Sequence, residues 1–258
     1  MPEHVPSDPV LVAVAHGSAD PRASATIGKL MACVAERAAA RGLGAVEART
    51  AFLGHAPPSL RQVMSTIEPG RQVRVLPLLL TAAHHSKADI PRMLGVVSRE
   101  FPRLHVSYGA TLGPHPLLLR ALERRLTEKE GAERSDPGRT GVVLASAGSS
   151  HPQANATIAR LAAQWQDVAG WFAVRPAYAS AAAPSPATAV SDLLQAGAHR
   201  VVVATYLLAP GFFADRIRTS SLAAGAAAVS PALGASAEVA DVLLDRFAET
   251  RSRRRTAA

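Results

Sequence analysis

The chain contains few cysteines and few aromatic residues, and each shortage limits what it can be. Its 258 residues include one cysteine, Cys33. This excludes an intrachain disulfide framework, a cysteine-rich zinc site and an iron–sulfur cluster held by a single chain. Aromatic residues make up 4% of the chain and alanine is abundant, so we expect a core of small aliphatic side chains. With 48% hydrophobic and 19% charged residues, the chain is predicted to be globular, with one large or two modest domains.

Long apolar runs are also missing. No unbroken apolar stretch approaches the ~18–20 residues that cross a bilayer. The first residues, "MPEHVPSDP", mix acids with prolines and lack the basic-then-apolar order of a signal peptide. We therefore expect a cytoplasmic protein that does not contact a membrane.

The chain has fewer acidic residues (20) than lysines and arginines (28), so its formal net charge is +8. Part of this excess lies in the tail "RSRRRTAA" (251–258), which we expect to be a solvated end. A basic chain favours acidic partners, among them polycarboxylate ligands. Neither zinc-finger spacing nor interleaved aromatic and basic residues are found, so no nucleic-acid partner is expected.

Short apolar runs alternate with amphipathic stretches along the whole chain, which predicts parallel sheets flanked by crossover helices. A polar stretch divides this pattern in two. We therefore predict an N-terminal domain (1–130), a linker (131–139) and a C-terminal domain (140–258). The predicted strands are 9–15, 45–53, 72–80, 104–110, 141–150, 170–179 and 199–210. The predicted helices are 22–42, 58–67, 89–101, 115–129, 154–165, 186–197, 212–225 and 237–251.

The two halves match each other in three segments of the same order and similar spacing, which indicates a tandem duplication. The paired segments are "VAVAHGSA" (12–19) with "VLASAGSS" (143–150), "AFLGHAPPSL" (51–60) with "AYASAAAPSP" (177–186), and "VRVLPLLLTA" (73–82) with "VVVATYLLAP" (201–210). The second half carries no histidine at the matched positions, so we expect it to be a degenerate repeat that acts as a scaffold or a lid. The alignment pairs His16 with Ala147, His55 with Ala181, and His85 with Gly211 or Phe212.

Histidines follow two of the predicted strands. His16 ends the first strand, and His84 and His85 lie just past the strand at 72–80. In open parallel sheets the loops after the carboxyl ends form the binding crevice, so neighbouring strands would bring these imidazoles to one edge. Two imidazoles can share a divalent transition metal, or one can bind it while the other accepts protons. Adjacent residues on an extended stretch point opposite ways, so His84 is a secondary candidate. The alternative is that each histidine is an ordinary hydrogen-bonded loop residue.

The two histidine motifs, "AHGSADPRA" (15–23) and "PLLLTAAHHSKADIP" (77–91), resemble those of the sirohydrochlorin chelatase family of class II chelatases. The resemblance covers nearly the whole chain, because long members of that family carry a duplicated domain. It implies an α/β fold of two similar domains that face each other across a cleft. It also implies insertion of Fe²⁺ or Co²⁺ into a tetrapyrrole, with His16 and His85 as the catalytic and metal-binding histidines. The metal is then a substrate, and no permanently bound cofactor is expected.

One position departs from the family pattern. The family commonly has a glutamate after the "FL" of the second strand, where this chain has Gly54 and His55. His55 is therefore a candidate replacement ligand, although its two neighbouring prolines are also typical of a surface turn.

The implied substrate, sirohydrochlorin, is a polycarboxylate, which suits a basic chain. Ser18, Arg22, Lys87 and Arg92 flank the two motifs and are the candidates for contacting its carboxylates. Solvated surface cations are the alternative for each of the three charged residues.

Three other functions are alternatives to iron insertion. A histidine phosphatase needs an arginine beside its nucleophile, and here that neighbour is Ala15. Cobalt insertion for cobalamin synthesis and a non-catalytic metal or tetrapyrrole carrier remain open. The chain lacks the histidine-rich segment or cysteine cluster that many cobalt members add, which favours iron and sirohaem. Because the domain is duplicated, we expect that one chain can act as a monomer.

Overall fold

A computed structural model describes residues 8–81, 90–130 and 136–255. The chain divides into two compact units. The first comprises Met1–Leu112 with Val239–Ala258, and the second comprises Gly113–Glu238.

The first unit contains a four-stranded parallel sheet in the order β2-β1-β3-β4. Its central strand, β1, is buried at every position, as expected for a run of apolar residues covered on both faces. The stripe Ile27, Leu30, Val34 and Ala38 of α1 is also buried, which confirms the helical spacing expected there. The elements are β1 (Val10–Ala15), α1 (Pro21–Ala40), β2 (Ala48–Phe52), α2 (Leu60–Ser65), β3 (Gln72–Pro77), α3 (Ile90–Glu100) and β4 (His105–Tyr108).

The second unit contains a second four-stranded parallel sheet, in the order β6-β5-β7-β8. Its strand order is that of the first sheet, so the predicted fold class and duplication are confirmed. A 3-10 turn at Pro137–Arg139 leads into it. The elements from here to the end are α4 (Pro116–Glu130), β5 (Thr140–Ser146), α5 (Pro152–Ala169), β6 (Ala173–Tyr178), α6 (Pro186–Gln195), β7 (Arg200–Tyr206), α7 (Phe212–Ala223), β8 (Ala228–Val229) and α8 (Ala237–Arg255).

Every predicted strand and helix is present, with ends that differ by a few residues. The sequence did not predict β8, because two residues are too few to show a periodic pattern. In the predicted linker, residues 131–135 lie outside the described part.

The last helix of each repeat belongs to the other compact unit. α4 precedes the linker, yet it packs on β7 and β8 of the second unit. Nearly all of α8 belongs to the first unit, where the Arg37 guanidinium donates to both carboxylate oxygens of Asp241 at 3.0 and 2.8 Å. The Arg74 guanidinium lies 4.7 Å from the ring centroid of Phe247 and donates to its carbonyl oxygen at 3.1 Å. The predicted domain boundaries follow the sequence repeats. In the compact units, α4 of the first repeat lies in the second unit, and nearly all of α8 of the second repeat lies in the first.

Among the described residues, no helix is long and apolar enough to span a membrane.

Candidate active site

His16 is the first residue after β1, at the carboxyl edge of the first sheet. β1 lies between β2 and β3, with Ala15 paired to Phe52 and Val14 paired to Pro77. The connections that follow these three strands therefore start at the same edge. The side chain of His16 is exposed although all of β1 is buried, so its imidazole lies on the rim of the sheet.

A close backbone contact fixes the chain at this point. The Gly54 amide donates to the His16 carbonyl oxygen at 3.2 Å, which ties the connection after β1 to the one after β2. Gly17 has a φ of +89°, and a Cβ placed on it would lie 1.7 Å from the Gly54 carbonyl oxygen. Only glycine fits there, so the "HG" pair is explained by geometry as well as by chemistry.

His55 lies on the neighbouring connection, directly after Gly54. It is exposed and has a φ of +63°, which is uncommon for a residue with a side chain. The structure thus places His16 and His55 on adjacent connections at one edge. The described residues contain no group of three or more potential metal-ligating side chains. His84, His85 and Lys87 lie outside the described residues.

The other candidates for substrate contact sit around the start of α1 and on α3. The Ser18 hydroxyl accepts a hydrogen bond from the Asp20 amide at 3.1 Å, and Asp20 caps α1. The Arg22 guanidinium pairs with the Asp20 carboxylate at 2.6 Å and stays 52% exposed. Hydrogen bonds from Arg22 lower the pKa of the Asp20 carboxyl. Arg92 is exposed on α3.

The second unit repeats this backbone without the histidines. Gly148 has a φ of +83°, and a Cβ on it would lie 1.9 Å from the Ser180 carbonyl oxygen. The Ser180 amide donates to the Ala147 carbonyl oxygen at 2.9 Å, and Ala181 has a φ of +57°. The alignment therefore matched His16 and His55 with the correct residues, Ala147 and Ala181, and the second edge offers no imidazole at these two positions.

His151 does lie at this second edge, as the exposed N-cap residue of α5. Its amide donates to the Ser149 hydroxyl at 3.1 Å, as the Asp20 amide does to Ser18 in the first unit. Extending the matched segment by one residue would have paired His151 with Asp20.

The fold and the edge together define a duplicated parallel α/β protein in which the first repeat carries His16 and His55 on the rim of its sheet. The CbiX family model matches residues 10–129 and 141–250, which are the two repeats. The chain belongs to the CbiX family.

Two curated relatives are chelatases. The chain is 28% identical to the sirohydrochlorin cobaltochelatase of Priestia megaterium over 170 residues, which cover 65% of this chain and 56% of that protein. It is also 28% identical to the sirohydrochlorin ferrochelatase of Priestia megaterium over 169 residues, which cover 65% of this chain and 62% of that protein. The matches thus span less than two thirds of either relative.

Solved structures share the fold. SirB from Bacillus subtilis with Fe³⁺ superposes with a TM-score of 0.78 at 22% identity, over 94% of this chain and 95% of that one. CbiX, described as the terminal enzyme for biosynthesis of siroheme in denitrifying bacteria, superposes with a TM-score of 0.68 at 20% identity. That match covers 94% of this chain and 99% of the other.

Proposed function

We propose that this protein is a sirohydrochlorin chelatase that inserts Fe²⁺ into sirohydrochlorin to give sirohaem. The observation that carries the proposal is the exposed His16 on the rim of the first sheet, in a chain that matches the CbiX family over both repeats. Membership of the family and the names of the relatives supply the substrate class.

The chemistry needs two kinds of group. A hydrated metal ion must lose water, and the pyrrole N–H protons must leave the macrocycle. Neutral imidazole is a good ligand for divalent transition metals, and a second neutral imidazole can accept a proton. We assign these roles to His16 and His85, with His84 and His55 as further candidate ligands.

The tetrapyrrole is a polycarboxylate, and cationic groups beside the histidines would orient it. Arg22 supports this role because it stays half exposed while it is paired with Asp20. Arg92, Lys87 and the hydroxyl of Ser18 complete the set that we propose for carboxylate contacts.

The preference for iron rests on the sequence alone. The cobaltochelatase and the ferrochelatase of Priestia megaterium are each 28% identical to this chain, so identity does not separate the metals. The absence of a histidine-rich segment and of a cysteine cluster favours iron. Initial rates with Fe²⁺ and with Co²⁺, measured on the same preparation under anaerobic conditions, test this choice, and a higher kcat/KM for cobalt would reverse it.

A turnover assay separates an enzyme from a carrier. The full chain is incubated anaerobically with excess sirohydrochlorin and Fe²⁺, and the absorbance change of metal insertion is compared with a protein-free blank. We expect many product molecules per protein molecule. If tetrapyrrole and metal bind in a fixed ratio and product forms no faster than in the blank, the protein is a carrier.

A further inference from the structure

Two aromatic rings are exposed at the start of α7. The side chain of Phe212 is 70% exposed and that of Phe213 is 37% exposed, and their ring centroids are 5.6 Å apart. By contrast, Trp165 and Tyr206 of the same unit are almost completely buried. In a chain with 4% aromatic residues, a pair of phenyl rings left in water indicates a binding surface.

The pair lies at the carboxyl edge of the second sheet. β7 ends at Tyr206, and α7 begins at Phe212 with Gly211 as its N-cap residue. This is the edge at which open parallel sheets bind ligands. The repeat alignment matches His85 with Gly211 or Phe212, so Phe212 lies in the second repeat at, or directly beside, the position of a histidine in the first.

A cation shares the helix face with Phe212. Arg216 follows it by one helical turn and is exposed, while Ile217 on the opposite side of α7 is fully buried. Within the described residues, the Arg216 guanidinium forms no ion pair. The face therefore presents a flat apolar surface beside a positive charge, which is complementary to a flat conjugated ring that carries carboxylates.

We propose that Phe212 and Arg216 form a docking surface for a tetrapyrrole on the second unit. This inference rests on the proposed function, which supplies the tetrapyrrole. The phenyl ring of Phe212 stacks on the macrocycle and Arg216 pairs with a peripheral carboxylate. Neither residue handles the metal, and this repeat binds the tetrapyrrole without histidines at the positions matched to His16 and His55.

Equilibrium titration of metal-free sirohydrochlorin into the full chain tests the docking surface. Phe212→Ala is expected to raise the tetrapyrrole Kd about tenfold, as for loss of one base–aromatic stacking contact. Arg216→Gln is expected to raise it roughly threefold at low salt, and added salt should narrow that difference. The KM for Fe²⁺ should stay at the wild-type value in both variants.

Two matched controls lie in the same unit. Phe172 is 37% exposed and precedes β6, at the opposite edge of the sheet, so Phe172→Ala should leave the Kd unchanged. Arg160→Gln removes an exposed arginine of α5 and should also leave the Kd unchanged.

The outcomes separate the inference from the proposed function. If the wild type binds sirohydrochlorin and Phe212→Ala binds it equally well, the docking surface is wrong while the proposed function stands. If the wild type binds no sirohydrochlorin, the proposed function itself fails. If Phe212→Ala leaves the Kd unchanged but abolishes a dimer seen by sedimentation, the rings contact a second copy and the inference is overturned.

Discussion

The carbonyl oxygen of Gly54 occupies the space that a side chain on Gly17 would need, with 1.7 Å between that oxygen and the position of a Cβ. The same relationship joins Ser180 and Gly148 in the second unit, at 1.9 Å. Both glycines also have left-handed backbones, with φ values of +89° and +83°. In the first unit this contact sets the direction in which the chain leaves β1, and therefore the position of His16.

Gly17→Ala should lower the free energy of unfolding by about 3 kcal/mol, because it combines left-handed strain with a backbone collision. It should also strongly reduce metal insertion, since His16 is displaced. Gly148→Ala should lower the free energy of unfolding by a similar amount but retain more activity. The residue before Gly148 is Ala147, which has no imidazole to displace. Denaturant unfolding and initial insertion rates measure the two effects.

Gly70→Ala is the control for backbone strain alone. Gly70 has a φ of +90°, yet nothing lies within 4 Å of a Cβ placed on it. We expect a loss of roughly 1 kcal/mol from the left-handed conformation. If Gly17→Ala and Gly70→Ala lose the same stability, the contact with Gly54 is not what requires glycine.

His55→Asn tests whether His55 takes part in metal handling. Asparagine tolerates the left-handed φ of +63°, so the turn should survive while the imidazole is lost. If His55 replaces the family glutamate, the KM for the metal should rise severalfold with the melting temperature unchanged. Wild-type kinetics in this variant would identify His55 as a turn residue only, as Ala181 is in the second unit.

The assignment of α8 to the first unit and of α4 to the second predicts where core mutations act. Leu244 of α8 is 1% exposed and lines a cavity of the first unit with Leu43 and Val46. Leu244→Ala should cost about 2–5 kcal/mol and increase hydrogen exchange in β1 and β3. Leu122 is a fully buried residue of α4, so Leu122→Ala should instead increase hydrogen exchange in β7. Faster exchange in β7 after Leu244→Ala, with β1 unchanged, would contradict the assignment of these helices.

The carboxyl of Glu238 makes the stability of the second unit depend on pH. Burial opposes its ionisation, but the Arg124 guanidinium donates to both oxygens at 2.9 and 3.1 Å and holds the pKa of Glu238 below its ordinary value of 4.5. Because the folded pKa is depressed, this stabilisation is present above the unfolded pKa and is lost as the pH falls through the folded value.

Glu238→Gln should therefore lower the free energy of unfolding by about 0.5–1 kcal/mol at neutral pH and leave it unchanged in strong acid. Urea denaturation across the pH range measures this difference. Glu36→Gln, at an exposed position of α1, is the matched control and should have little effect at any pH. If Glu238→Gln lowers the free energy of unfolding by the same amount at every pH, the charge of Glu238 is not what stabilises the second unit.

The alternation of apolar runs with amphipathic stretches was enough to predict both sheets except for β8, and the order of matched segments was enough to predict the duplication. The end of β1 directly before His16 was also predicted, because a buried strand is followed by polar residues where it reaches the edge of a sheet. The exchange of α4 and α8 was not predictable, because an amphipathic helix shows that it has a buried face but not which sheet covers it. The contact of Gly17 with Gly54 joins two connections and leaves no pattern in either segment.

His105 provides the control for His16. It is also exposed and belongs to the same sheet, but as the first residue of β4 it lies at the opposite, amino edge. His105→Ala should therefore leave metal insertion within about twofold of wild type, whereas loss of a residue that acts as ligand or base costs on the order of 100-fold or more.

The most direct measurement is the initial rate of Fe²⁺ insertion into sirohydrochlorin by the wild type, His16→Ala and His105→Ala, with melting temperatures recorded for all three. We expect a rate for His16→Ala at least ~100-fold below the other two, at an unchanged melting temperature. A wild-type rate for His16→Ala, or equal losses in the two variants, would contradict this expectation.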